Sequence, residues 1–333
     1  MTCRQATCST DCLTPSEPLR SRLGRLAVTT RAAATVGWAL IVVRLATVGG
    51  GYSAVRRGSW ALHRVCGPMV GALGVRTEVT GSPRSGAALV VGNHLSWLDI
   101  LVLSASTPMR QVAKSEIGDW PLIAGAARRT GSIFLDRSRW RLLPAVVDQA
   151  TTALRQGHKV QAFPEATTRC GGAIGEFHRC LFQAAIDAAV VVAPVTIRYL
   201  DRAGNPTVTP TFLGDEDLMT SLRRLLSMRG VRVQVHWLPV VPAIARTSRP
   251  AADRARLAGL VQRAVATDLR VMVAPRPGRV HCSPCAAGSL SPAAQPVGRG
   301  SARRRLPWRR CPTSIMPPPP RSYRRWPLLL PRR

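Results

Sequence analysis

Residues 87–99 read AALVVGNHLSWLD. Ala87 to Val91 is a short apolar run with no polar face, closed by Gly92. Such a run reads as a buried strand. The chain then turns polar at Asn93 and His94, and Asp99 follows five residues after the histidine, where the next helical stretch begins. Strand, polar turn and helix in that order mark one step of an α/β layer fold.

The same alternation continues downstream. Gln111–Ala113 and Ser132–Leu135 read as strands, Arg141–Gln156 as a helix closed by Gly157, and Lys159–Phe163 as a strand stopped by Pro164. Pro144 is out of place inside a helix and marks its first turn instead. Arg179–Ala189 reads as a helix and Val190–Tyr199 as a strand. Val231, Val233, Val235 and Trp237 alternate with Arg232, Gln234 and His236, a period of two that predicts a strand with one polar face. Ala251–Val271 reads as a closing helix. No internal repeat is present.

Upstream lies a different kind of segment. Ala32–Val55 is apolar except for Arg44, with arginines at 20, 22, 25 and 31 before it and Arg56 and Arg57 after it. A charge near the middle of a span is expensive. The pattern predicts a helix lying in the membrane interface, or a marginal span, with an ordinary packed helix as the equal alternative. The first 20 residues are polar and lack the apolar core of a secretory signal. The expected organisation is therefore a polar tail at 1–20, a helical membrane-associated segment at 21–70, an α/β domain at 71–274 and a tail at 275–333.

The 333 residues include 47 Lys+Arg against 17 Asp+Glu, a net charge of +30. Only Lys114 and Lys159 are lysines. Residues 275–333 hold thirteen arginines, thirteen prolines and no acid, so much of the excess sits in a segment too poor in core formers to order itself. The folded part has no basic stripe with interleaved aromatics, which argues against a nucleic-acid partner. The charge fits an anionic lipid surface or a phosphorylated substrate instead. No G-x-S-x-G occurs, so a serine nucleophile on an elbow is excluded. Nine cysteines are scattered: Cys3, Cys8 and Cys12 near the N-terminus, Cys282 and Cys285 beside His281 in the tail. No second pair has zinc-ligand spacing, so no metal is expected, and the pattern fits a reducing cytoplasmic setting.

Three strands run into unusual polar segments. The first carries His94 and Asp99. Transfer to an alcohol needs a base near neutral pH, and a carboxylate on the other ring nitrogen fixes the tautomer. By spacing alone, a histidine and aspartate so placed are more often structural. The second, GSIFLDRS at 131–138, delivers Asp136 and Arg137 at a strand end, where ligands bind in α/β sheets. Arg137 suits a bidentate phosphate contact, and equally a surface ion pair. The third, AFPEATTRCGG at 162–172, offers Glu165, the Thr167 and Thr168 hydroxyls, Arg169 and two glycines, a set able to meet an anion or to form an ordinary loop.

In this order the segments resemble the glycerolipid acyltransferases of the lysophosphatidic acid acyltransferase type. Asn93, His94 and Asp99 match that family's NHxxxxD block. Gly131, Ile133, Phe134 and Arg137 match GxIFxxR. Phe163, Pro164, Glu165, Thr167 and Thr168 match FPEGTR or FPEGTT, and Val192–Tyr199 around Pro194 matches a fourth block. Lys114, Ser115 and Glu116 resemble a further stretch of the family, and the likeness covers about residues 70–270.

The resemblance implies a mixed sheet flanked by helices, preceded by a helical membrane-contacting segment. It implies His94 as base for attack on an acyl thioester, Asp99 as its support, Arg137 on the acceptor phosphate and Glu165 shaping the acceptor site. Lys114, Thr167, Thr168 and Arg169 are the remaining substrate-binding candidates. No cofactor is implied; acyl-CoA or acyl carrier protein is the donor, lysophosphatidic acid the acceptor, and the cytoplasmic face of the cell membrane the location. Two departures stand out. Ala166 occupies the family's glycine, and Thr168 its arginine, with Arg169 one place later. The two-threonine form implies, as the alternative, an acceptor lacking that phosphate, such as a lyso-ornithine-type lipid.

Overall fold

A computed structural model describes residues 8–13, 19–120, 123–136 and 139–273. Arg137, the tail from 275 with its Cys282–Cys285 pair, and Cys3 lie outside the described residues. In chain order the elements are α1 (Arg22–Ala46), α2 (Gly51–Ala72), β1 (Arg76–Thr80), β2 (Ala88–Gly92), α3 (Leu98–Ser106), β3 (Arg110–Lys114), α4 (Ile123–Arg129), β4 (Ile133–Leu135), α5 (Leu143–Arg155), β5 (Lys159–Ala162), β6 (Ala173–Ile174), α6 (Phe182–Asp187), β7 (Val191–Leu200), α7 (Leu218–Ser227), β8 (Arg232–Trp237), α8 (Pro250–Leu269) and β9 (Met272–Val273).

Seven strands form one mixed sheet in the order β1-β8-β7-β2-β5-β3-β4, and β6 pairs with β9 separately. β7, β2, β5, β3 and β4 run parallel, while β8 meets β7 antiparallel and β1 follows β8. β2 sits at the centre and all five of its residues are buried. Its side chains divide by parity: Ala88 and Val90 join a core with α3, β7 and β8, whereas Leu89 and Val91 join one with α5, α6 and α8. That double burial is why the run shows no polar period. β8 alternates buried valines with half-buried polar residues, as its period of two requires.

Gly92 is fixed by close approach. A Cβ there would stand 2.7 Å from the Val195 carbonyl oxygen of β7, so only glycine lets the two strands meet before the chain turns. Pro144 lies in the first turn of α5, as its missing N–H demands. The helix read over 179–189 is shorter, Phe182–Asp187, and ends at Ala188 before Ala189 adopts φ +52. β1, α4 and α7 were not read from the sequence, although Leu218, Leu222, Leu225 and Leu226 of α7 recur at helical spacing; β1 is an edge strand with one half-buried residue in five.

The apolar run Ala32–Val55 is not one helix. Gly49, Gly50 and Gly51 take φ of +92°, +64° and +73° and break it into a hairpin of α1 and α2. α1 is long and apolar enough to cross a membrane by length and composition. Val28, Ala32, Ala39 and Val43 form its buried stripe, while Leu23, Leu26, Ile41 and Leu45 are exposed.

Candidate active site

Parallel strands bring their C-terminal ends to one edge of a sheet, and ligands of open α/β sheets bind there. β2 lies between β5 and β7, so the loops after β2 and β5 meet at that edge beside the end of β7. The loops after β3 and β4, with Lys114 and Asp136, belong to the same edge. Segments scattered over a hundred residues thus converge.

Asn93 extends the ladder past Gly92 with its side chain. Its Nδ2 donates to the Ile197 carbonyl at 3.0 Å, and the Ile197 amide donates to its Oδ1 at 2.9 Å. This two-way bond fixes the point where the His94 loop leaves the sheet. His94 Nδ1 then lies 2.9 Å from Asp99 Oδ2. The same oxygen accepts from the Leu95 amide at 2.7 Å and the Ser96 amide at 2.9 Å. Asp99 Oδ1 accepts from the Tyr199 hydroxyl at 2.6 Å. The Asp99 side chain is 0% exposed and that of His94 15%, so the carboxylate is an internal anchor and the imidazole reaches the surface. Phe163 stacks on the His94 ring at 3.8 Å and 3°. With Nδ1–H on Asp99, the imidazole lone pair belongs to Nε2.

Glu165 ties the second loop to the first. Its Oε1 accepts from the His94 amide at 3.0 Å and its Oε2 from the Gly175 amide at 2.6 Å. Arg169 Nε stands 3.1 Å from Oε2, and the Arg169 amide donates to the His94 carbonyl at 2.8 Å. Burial pushes the Glu165 carboxyl up to about 7, against the pull of the Gly175 and His94 amides and of Arg169. Asp99 adds to the rise. Gly175 leaves room for this pair, since a Cβ there would lie 2.6 Å from Arg169 Nε and push the guanidinium aside. Ala166, in the family's glycine position, adopts φ +56, the left-handed conformation that glycine takes freely.

His94, Asp99, Glu165 and Arg169 are therefore one connected unit. Thr167 is exposed and Thr168 half-buried on the same loop. Lys114 stands at the end of β3 and pairs with Glu116 at 2.7 Å, both half-exposed. Arg137 lies outside the described residues, two positions beyond the end of β4. Tyr199 and Gly175 were not legible as site residues. Their only sequence signals were a tyrosine near the end of a strand and one glycine among many.

The chain matches an Acyltransferase family model over residues 76–198. It is 37% identical over 155 residues to the 1-acyl-sn-glycerol-3-phosphate acyltransferase of Neisseria gonorrhoeae, covering 46% of this chain and 60% of that protein. It is 36% identical over 218 residues to the lyso-ornithine lipid O-acyltransferase of Pseudomonas aeruginosa, covering 65% of this chain and 79% of that one. The crystal structure of the 1-acyl-sn-glycerophosphate (LPA) acyltransferase from Thermotoga maritima has the same fold, at a TM-score of 0.53 and 20% identity, over 74% of this chain and 95% of that one. With the His94–Asp99 pair seated on the fold these relatives share, the chain belongs to the glycerolipid acyltransferase family of the lysophosphatidic acid acyltransferase type.

Proposed function

We propose that the protein moves a fatty acyl group from an acyl thioester to the free hydroxyl of a lysolipid at a membrane surface. The observation that carries this reading is the His94–Asp99 pair. A surface-reaching imidazole is oriented by a buried carboxylate that four donors hold in place.

In this reading His94 Nε2 takes the acceptor hydroxyl proton as the oxygen attacks the thioester carbonyl. Asp99 holds the tautomer and stabilises the imidazolium that forms. Collapse of the tetrahedral intermediate breaks the C–S bond, and the imidazolium returns the proton to the leaving thiolate. The products are an ester and a thiol, with no covalent enzyme intermediate. Glu165 acts through His94 and Arg169 as a positioning residue, because its two oxygens face the interior. Lys114, Thr167, Thr168 and Arg137 contact the two anionic substrates. The donor is acyl-CoA or acyl carrier protein.

The acceptor in the first reading is lysophosphatidic acid, giving phosphatidic acid, with Arg137 on the phosphate. A second reading, a phosphate-free lysolipid such as lyso-ornithine lipid, is favoured by one observation. Arg169 does not stand in for the arginine replaced by Thr168, because it turns inward to Glu165 with its side chain 10% exposed. The α1–α2 hairpin holds the enzyme on the cytoplasmic face of the membrane, where the thioester donors are made.

The test is thioester consumption by the purified chain in lipid or detergent, with each acceptor in turn. His94→Ala and Asp99→Asn should each lower kcat by about 10²–10⁴-fold. Turnover with lysophosphatidic acid alone supports the first acceptor and turnover with the phosphate-free lipid alone the second. Full activity in His94→Ala would sink the mechanism.

A further inference from the structure

Cys170 follows Arg169 on the loop that Glu165 anchors, and it is buried. Against it lies a segment from the start of the chain. Cys8 Sγ is 3.6 Å from Cys170 Sγ, although 162 positions separate them, and the Cys170 amide donates to Cys8 Sγ at 3.4 Å. A single 3₁₀ turn, Thr10–Cys12, then brings Cys12 back to the same point. The three sulfur atoms all lie within 4.8 Å of one another. The proposed acyl transfer uses none of them.

Several features of this cluster fit a metal better than a disulfide. A Zn–S bond of about 2.3 Å in a tetrahedron separates two sulfurs by ~3.8 Å, close to the 3.6 Å of the Cys8–Cys170 pair. Cys8 and Cys12 have C-x₃-C spacing, within the range that a short turn uses to present two ligands to one ion. An N–H donor aimed at a sulfur is a contact that a metal-bound thiolate accepts from its surroundings. Three thiols converge, and a disulfide would leave one of them without a role.

We propose that Cys8, Cys12 and Cys170 bind a thiophilic divalent cation of the zinc class. The ion clamps residues 8–12 onto the loop that carries Glu165 and Arg169. Three thiols give up their protons as the cation binds, and water or a fourth ligand completes the tetrahedron. Cys3 stands five positions before Cys8 in the sequence. The clamp has a clear structural use, because it joins the N-terminal segment to a loop whose Ala166 sits at φ +56.

The test uses the full chain, purified in detergent with a reductant and without chelator. Zinc is counted by mass spectrometry, and cobalt(II) is titrated into the metal-stripped protein. Wild type and a Cys180→Ser control should hold about one zinc per chain and show thiolate-to-cobalt charge-transfer absorption. Cys8→Ser and Cys170→Ser should fall to background in both. If those variants fail to fold, cobalt should still shield Cys8, Cys12 and Cys170 of the wild type from alkylation, mapped by peptide mass. Equal zinc in wild type and Cys170→Ser, or no shielding, would overturn the proposal. None of these readouts depends on acyl transfer.

Discussion

The Tyr199 hydroxyl donates a 2.6 Å hydrogen bond to Asp99 Oδ1, while His94 holds the other oxygen of the same carboxylate. Tyr199 belongs to β7 and His94 leaves β2, so the base is braced across neighbouring strands. Burial, with the charge of Asp99 adding to it, pushes the Tyr199 phenol well above its usual range. It stays a donor at any pH at which the protein works.

Tyr199→Phe tests that brace. The variant leaves a buried carboxylate oxygen without its hydroxyl donor, a loss of about 1.5–3 kcal/mol for a bond to a charged group. The melting temperature should fall, and kcat should fall more than KM rises, because the aim of Asp99 changes and substrate contacts do not. A variant with wild-type kcat and melting temperature would show that the contact is idle.

Glu165 makes stability depend on pH in an unusual direction. Its carboxyl is pushed up to about 7, so the folded chain holds that proton more tightly than the unfolded chain. From the ordinary carboxylate range up to about 7, rising pH strips a proton that folding prefers to keep. This contribution is therefore complete at the acidic end of the window, is lost as pH approaches about 7, and is flat above. Glu165→Gln cannot titrate. The difference in melting temperature between wild type and variant should shrink or reverse as pH rises from about 5 to about 8. A constant difference across the window would refute the assignment.

Ala166 holds a left-handed backbone at φ +56, which costs a residue with a Cβ about 1–2 kcal/mol. Ala166→Gly relieves that strain and adds some unfolded-chain entropy, for a net gain of about 0.5–1 kcal/mol. Calorimetry should show a melting temperature higher by roughly 1–4 °C, with thioester turnover retained. A lower melting temperature would mean that the loop gains more from the Ala166 methyl than it spends on conformation.

Leu23 and Ile41 are separated by five helical turns and so leave α1 on the same side, opposite the stripe of Val28, Ala32, Ala39 and Val43. Leu23 is 80% and Ile41 59% exposed. Leu23→Asp with Ile41→Asp should abolish sedimentation with anionic vesicles. Stability should change by about 0.5 kcal/mol or less, because neither side chain packs on the domain. Undiminished vesicle binding would move the membrane contact off α1.

Much of the fold was legible because each strand and helix carries its own period. The apolar run at Ala87–Val91 predicted a buried strand, and Val231, Val233, Val235 and Trp237 predicted a strand with one polar face. His94 and Asp99 were legible as a pair because five residues bring them together within one loop and the first turn of α3. The apolar length of Ala32–Val55 was readable, but its break at Gly49–Gly51 was not read, although three successive glycines with positive φ make the turn.

What the sequence alone determined is therefore local: which segments are strands, which are helices, and which loops are rich in chemistry. The tertiary structure decided which groups meet. It placed β2 between β5 and β7, which set Glu165 under the His94 amide and Tyr199 on the far oxygen of Asp99. It turned Arg169 inward to Glu165 and brought Cys8 and Cys12 to Cys170, a meeting that the C-x₃-C spacing of Cys8 and Cys12 did not by itself reveal. Hydrogen bonds and thiolate clusters act over about 3–4 Å. Tertiary packing, which brings groups 70 to 160 residues apart within that reach, leaves no period in the chain to read.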